Sequence, residues 1–139
     1  MSIVGIHNCR YPFAHQVPCV GINADVGGIR HLLNSGPGLA FVILFAPLAE
    51  ELIFRGVLLN FFIERNKAAI GTVLVSLLFS LLHGLHQESL GWQLYTSSFY
   101  FIMSLVLCHL YIARGSLWPP IVFHSAFNGT MAVLFRLLT

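Results

Sequence analysis

Charge is what this chain has least of. Only 9% of its 139 residues are Asp, Glu, Lys or Arg, against about a quarter in an ordinary soluble domain. A soluble fold of this size must cover a large surface with polar groups, so the composition argues against a soluble enzyme. A hydrophobic fraction of 57% excludes a disordered chain, and a net charge of only +2 excludes a nucleic-acid-binding domain. Three cysteines, Cys9, Cys19 and Cys108, cannot form a disulfide framework. There is no Gly-rich phosphate loop, no repeat and no low-complexity tract. The N-terminus has no basic segment followed by an apolar core and a small-residue cleavage site, so no removable signal peptide is expected. With a mean hydropathy of +0.82, the remaining class is an integral membrane protein.

The pattern changes near Gly38. Residues 1–38 are rich in Gly, Pro, Asn and His and read as a polar N-terminal tail. Residues 39–139 hold four apolar stretches: Leu39 to Phe62, Ala68 to Leu82 (ending at His83), Leu94 to Ala113, and Leu117 to Leu138. Each approaches the roughly 20 residues needed to cross a bilayer core. Backbone groups in lipid must bond internally, so these are helices. The expected fold is all-α: a multi-pass transmembrane bundle of about four helices, some kinked or broken. Alternation puts Arg65, Lys67 and Arg114 on one side, read as cytoplasmic, and Arg30, Glu88 and Arg136 on the other, with Arg10 further out. Trp92, Tyr95 and Trp118 lie near helix ends, as interfacial aromatics do.

The first stretch carries an anomaly. Glu50, Glu51 and Arg55 lie mid-helix, where each charge costs roughly 2.5–3.5 kcal/mol on the translocon scale. The fifteen Leu, Ile, Phe and Val residues around them return only roughly 5–9 kcal/mol on the same scale, so the segment needs partners that neutralise these groups. Glu51 and Arg55 share a helix face and can pair. Glu50 points about 100° away and is left to face other helices or a cavity. Pro47 cannot donate to the carbonyl of Ile43 and is expected to bend the helix just before the acidic pair.

Two other stretches bring matching groups. His83 follows Phe79 by four residues, and His124 and Asn128 share one face of the fourth stretch. A neutral imidazole accepts a proton or binds a metal, and an Asn amide can donate to a developing oxyanion. A carboxylate, two histidines and an amide on three apolar helices can form a hydrolytic site. Glutamate and histidine would activate water; histidine and asparagine would stabilise the tetrahedral intermediate. Each group alone also reads as ordinary polar packing between helices.

Together these residues resemble a known family. Glu50-Glu51-Leu52-Ile53-Phe54-Arg55-Gly56 is similar to its E-E-x-x-x-R motif, Phe79-Ser80-Leu81-Leu82-His83 to its F-x-x-x-H motif, and His124-Ser125-Ala126-Phe127-Asn128 to its H-x-x-x-N motif, preceded by Ser116-Leu117-Trp118-Pro119-Pro120. The family is CPBP, the CAAX-protease and bacteriocin-processing intramembrane proteases, also called Abi, and the resemblance covers residues 39–135. It implies an intramembrane endopeptidase in which Glu50 activates water, His83 helps hold it, His124 and Asn128 form the oxyanion site, and Glu51 and Arg55 support the geometry. The implied substrate is a peptide or lipidated protein, met among membrane lipids and without nucleic acid. Glu50, His83 and His124 also make a plausible three-ligand zinc set with one position left for water. Asn is a poor zinc ligand and suits an oxyanion donor, which favours a site with no obligatory metal. Family members usually carry several helices before the first motif; here only the polar 38-residue tail precedes the first apolar stretch, and the chain is expected to be a minimal core, a truncated product or a degenerate copy. Two other readings stand beside the protease: a non-catalytic adaptor or immunity-type protein on the family scaffold, and a proton or ion pathway lined by Glu50, His83 and His124.

The motif residues also pose a depth problem. At about 1.5 Å per residue, unbroken helices counted from the Arg65/Lys67 side place His83 about 24 Å deep, Glu50 about 18 Å and His124 about 8 Å. The site therefore predicts helices that tilt, break or start inside the membrane, with Pro47, Gly71 and Pro119-Pro120 as the places where this happens. Other candidates rank lower. His7, Cys9, His15 and Cys19 fit no standard zinc spacing, His109 and Cys108 read as packing residues, and His86 and Glu88 read as loop residues.

Overall fold

A computed structural model of the chain describes residue 31, residues 33–84 and residues 89–138. Among these residues there are helices and no strand. Four helical runs follow one another: α1 (residues 36–63), α2 (Ala68–Gly84), α3 (Leu90–Arg114) and α4 (Trp118–Leu138). They overlap the four apolar stretches of the sequence. Helix α3 is longer than its stretch because Ser89 caps it, its hydroxyl accepting from the Trp92 N–H at 3.3 Å. Gly115, at φ 59°, ends it in the left-handed conformation that glycine adopts without strain. The N-terminal tail lies outside the described residues up to Arg30. Ser35 caps α1 by accepting from the Gly38 N–H at 3.1 Å, and Arg136 donates to the carbonyl of Leu33.

Helix α1 is the irregular element. It passes from α (Gly36–Ala40) to π (Phe41–Phe45), back to α (Ala46–Glu51), to π again (Leu52–Leu59), and ends as α (Asn60–Ile63). Such π segments are rare inside α-helices and gather at functional sites. The first has a local cause. The Ala46 N–H reaches back five residues to the Phe41 carbonyl, and Pro47 follows with no N–H to offer. The break expected at Pro47 is therefore a π turn. Neither of the other two places breaks a helix, but a helix starts at one of them. Gly71 lies in regular helix, and Pro119-Pro120 occupy the first turn of α4, where missing N–H groups cost little.

One face of α3 organises the rest. Ser97, Tyr100, Ser104, Cys108 and Tyr111 recur at three- and four-residue spacing and so share a face. Ser97 meets Gly84, where a Cβ would lie 1.8 Å from the serine Oγ. Ser104 bonds Arg55, the Cys108 sulfur lies 3.8 Å from the Ser76 hydroxyl, and the Tyr111 hydroxyl donates to Asn60 at 3.4 Å. Such small and hydroxylic residues let helix backbones approach closely. The apolar core (Phe54, Leu59, Val75, Phe79 and Cys108) lies where α1, α2 and α3 meet.

The buried set includes Glu51, Arg55, Ser76, Ser80, Ser104 and His124, while Leu44, Phe45, Ile53, Val57, Leu82, Ile102 and Val122 are exposed. Polar groups inside and apolar groups outside reverse the usual soluble pattern. By length and composition, α3 and α4 can each cross a membrane.

Candidate active site

The depth problem is resolved at the start of α4. Leu117 lies against Gly56, a methyl 3.5 Å from where a Cβ would be. Gly56 is eight residues before Glu64, about 12 Å along a helix. Helix α4 thus begins well inside the bundle rather than level with the Glu64–Asn66 turn, and this carries His124 to the height of Glu50.

Three groups converge there. Glu50 Oε2 lies 3.7 Å from His83 Nε2 and 3.8 Å from His124 Nε2. The glutamate and His83 side chains are 29% and 26% exposed, His124 only 3%, so the cluster is open on one side. Both ring orientations are explained by what holds the other nitrogen. His83 Nδ1–H donates to the Phe79 carbonyl at 2.8 Å, which explains the four-residue spacing of this pair. His124 Nδ1–H donates to Glu51 Oε1 at 2.8 Å. A neutral imidazole protonated at Nδ1 has its lone pair on Nε2. Two lone pairs therefore face a carboxylate oxygen that is buried and has no hydrogen-bond partner among the described residues. Separations of this size are too long for direct hydrogen bonds.

Behind this gap lies a buried chain of charge. Arg55 Nη1 donates to Glu51 Oε1 at 3.0 Å, and Nη2 donates to the Ser104 hydroxyl at 2.7 Å and the Ser104 carbonyl at 3.2 Å. Glu51 and Arg55 are both fully buried. Desolvating such a pair is costly unless it is well hydrogen-bonded; Ser104 and His124 supply further bonds, while Glu51 Oε2 and Arg55 Nε are buried without a partner among the described residues. The Phe79 ring lies 5.0 Å below the guanidinium carbon, a cation–π arrangement. Four consecutive partners, Ser104, Arg55, Glu51 and His124, thus tie α3, α1 and α4 together.

Asn128 is placed differently. Its Nδ2 donates to the carbonyl of Val42 at 3.0 Å. In α register Val42 would accept from Ala46, whose N–H goes instead to Phe41; in π register it would accept from residue 47, a proline. Asn128 fills the place of the missing backbone donor. Its second Nδ2–H is left for other work.

Zinc would need its ligands at about 2.0–2.2 Å. Among the described residues no group of three or more His, Cys, Asp or Glu is assembled to hold a metal. Glu50, His83 and His124 carry the donor types that zinc takes, with their facing atoms 3.7–3.8 Å apart. Of the lower-ranked candidates, Cys108 is buried beside Ser76, whereas His109 is exposed rather than a core packing residue. His7, Cys9, His15, Cys19, His86 and Glu88 lie outside the described residues.

The model of the type II CAAX prenyl endopeptidase Rce1-like family matches residues 33–130. The chain belongs to this family. All the motif residues named above fall inside the matched span. The Rce1-like family is one of membrane-embedded proteases. A relative described as an uncharacterized 24.3 kDa protein of Escherichia coli is 32% identical over 99 residues, which cover 70% of this chain and 43% of the relative. The chain therefore spans less than half of that relative's length. No solved structure matches it.

Reasoning from motifs alone does not reach Ser104 or Tyr100, both on α3, because their partners lie on other helices. Their only signal in the sequence is the shared face with Ser97, Cys108 and Tyr111. Nor does it reach the bond from Glu51 to His124 or from Asn128 to Val42, which depend on the height at which α4 starts.

Proposed function

We propose that this chain is the catalytic core of an intramembrane endopeptidase that hydrolyses a peptide bond at the bilayer. The observation that carries the reading is the convergence of Glu50 Oε2 on the two Nε2 atoms of His83 and His124. Glu50 takes a proton from a water held between its carboxylate and His83. The water oxygen attacks the scissile carbonyl. The charge that develops on the carbonyl oxygen is met by the second Nδ2–H of Asn128 and by His124 once its Nε2 has taken a proton from solvent, with Glu51 holding the Nδ1–H of the imidazolium. Glu50 then returns its proton to the leaving amine, the ordinary course of general acid–base catalysis. No obligatory metal is invoked.

Membership of the CAAX prenyl endopeptidase family supports a prenylated or otherwise lipidated peptide as substrate. The exposed apolar exterior and the apolar helices support a multi-pass chain in the cell membrane, with four spans and the Arg65, Lys67 and Arg114 end facing the cytoplasm. The test is cleavage of a prenylated CAAX-type peptide, and of the same peptide without its lipid, by the protein in liposomes. Product is expected from the lipidated peptide, with at least about 10²-fold less from Glu50→Gln and from His83→Ala. Binding without product, at the same affinity in Glu50→Gln, would overturn this in favour of a non-catalytic adaptor. A pH-dependent leak of the liposomes without cleavage would favour the ion pathway.

A further inference from the structure

The hydrogen bond from Nδ1 to the Phe79 carbonyl fixes one atom of His83, but not the plane of its ring. Rotation about the Cβ–Cγ bond of histidine is a broad, soft torsion. Two aromatic rings restrict it here. Phe79 stacks on the imidazole with centroids 4.3 Å apart and planes 25° apart, and Tyr100 lies 4.5 Å away at 35°. Phe79 and Tyr100 are themselves 6.2 Å apart, so the three centroids make a nearly right-angled triangle and the imidazole is confined from two directions. Phe79 belongs to the F-x-x-x-H motif; Tyr100 belongs to none. It reaches His83 because α3 presents it on the face that also sets Ser97 against Gly84 and Ser104 against Arg55. Tyr100 is half-buried and lies within electrostatic reach of the Glu50 carboxylate.

We infer that Tyr100 is a positioning residue. Its ring, rather than its hydroxyl, holds the His83 imidazole so that Nε2 faces Glu50. The contact of one aromatic ring with another is specific in geometry as well as apolar, and a misplaced catalytic group lowers turnover more than it lowers binding. The inference rests on the proposed hydrolytic role of His83, but its structural half can be read without turnover.

The experiment compares wild type with Tyr100→Phe and Tyr100→Leu in detergent micelles or liposomes. Tyr100→Met, which keeps bulk without a ring, serves if the leucine variant does not fold. Two quantities are read: the NMR resonances of the ring-carbon protons of His83, which sense neighbouring aromatic ring currents, and kcat with KM for a lipidated peptide. Tyr100→Phe is expected to keep the His83 resonances near their wild-type positions and kcat within about twofold. Tyr100→Leu is expected to move those resonances and to lower kcat about tenfold, with KM within about twofold. Unmoved His83 resonances in Tyr100→Leu overturn the inference, as does a loss in Tyr100→Phe as large as in Tyr100→Leu. If wild type turns nothing over, the proposed function fails by itself, and the resonances alone decide the role of Tyr100.

Discussion

The side-chain amide of Asn128 donates to the backbone carbonyl of Val42 at the point where Pro47 has removed the backbone donor. A side chain from α4 thus completes the hydrogen bonding of α1 about two turns before the acidic pair. Leaving a buried carbonyl without a partner costs about 1–3 kcal/mol, so Asn128→Ala is expected to lower stability by that amount. Pro47→Ala restores an N–H in α1, and in that background the cost of Asn128→Ala is expected to fall by about half or more, a coupling of the size that neighbouring groups show. Thermal unfolding in detergent measures both. If the double variant regains stability but not turnover, the second Nδ2–H of Asn128 is at work in the reaction.

Much of this site was legible in the sequence because each motif is local. Glu51 and Arg55 at i, i+4, His83 four residues after Phe79, and His124 four before Asn128 needed only helical spacing. The heights of the helices needed more. Counting residues from the Arg65/Lys67 end assumed that α4 starts level with that end, whereas the Leu117–Gly56 contact starts it about 12 Å further in. The π segment at Leu52–Leu59 has no proline or glycine run to announce it; Gly56 inside it serves as the seat of Leu117. The bonds made by Ser104 and Tyr100 are tertiary and leave only a weak trace in the spacing along α3.

The charge chain makes a sharp stability prediction. Removing one member of a buried ion pair leaves an uncompensated charge and costs about 3–5 kcal/mol. Arg55→Ala and Glu51→Ala are each expected to unfold at markedly lower temperature in detergent. The paired change Arg55→Met with Glu51→Leu is expected to be less damaging than either single change, because neither charge then remains buried alone. Ser104→Ala removes one acceptor from a charged donor and is expected to cost about 1.5–3 kcal/mol. Equal stability of Arg55→Ala and wild type would contradict the buried pair.

Gly84 and Ser97 bring α2 and α3 into close contact. A Cβ on residue 84 would lie 1.8 Å from the Ser97 hydroxyl, 2.9 Å from its Cβ and 3.1 Å from its Cα. Rotating the serine removes only the first clash. Gly84→Ala is therefore expected to cost about 1–3 kcal/mol, the usual range for overpacking, and to displace the adjoining His83. Ser97→Gly in the same chain is expected to restore most of the loss in unfolding temperature. No loss in Gly84→Ala would show that the two helices lie further apart.

Metal removal separates the two hydrolytic chemistries that Glu50, His83 and His124 can support. Without an obligatory metal, turnover after extensive chelation and exchange is expected to match that of untreated protein. Loss of turnover that added zinc restores, with one zinc per chain by elemental analysis, would put a metal where the water is placed here.

The most direct measurement is the turnover of Glu50→Gln beside wild type on a lipidated peptide in liposomes, with binding of the same peptide measured in parallel. Glutamine keeps the size of the side chain and removes its basicity. Turnover is expected to fall by about 10²–10⁴-fold while binding and unfolding temperature stay close to wild type. Turnover within about twofold of wild type would show that Glu50 is not the base, and the convergence of His83 and His124 upon it would then be packing alone.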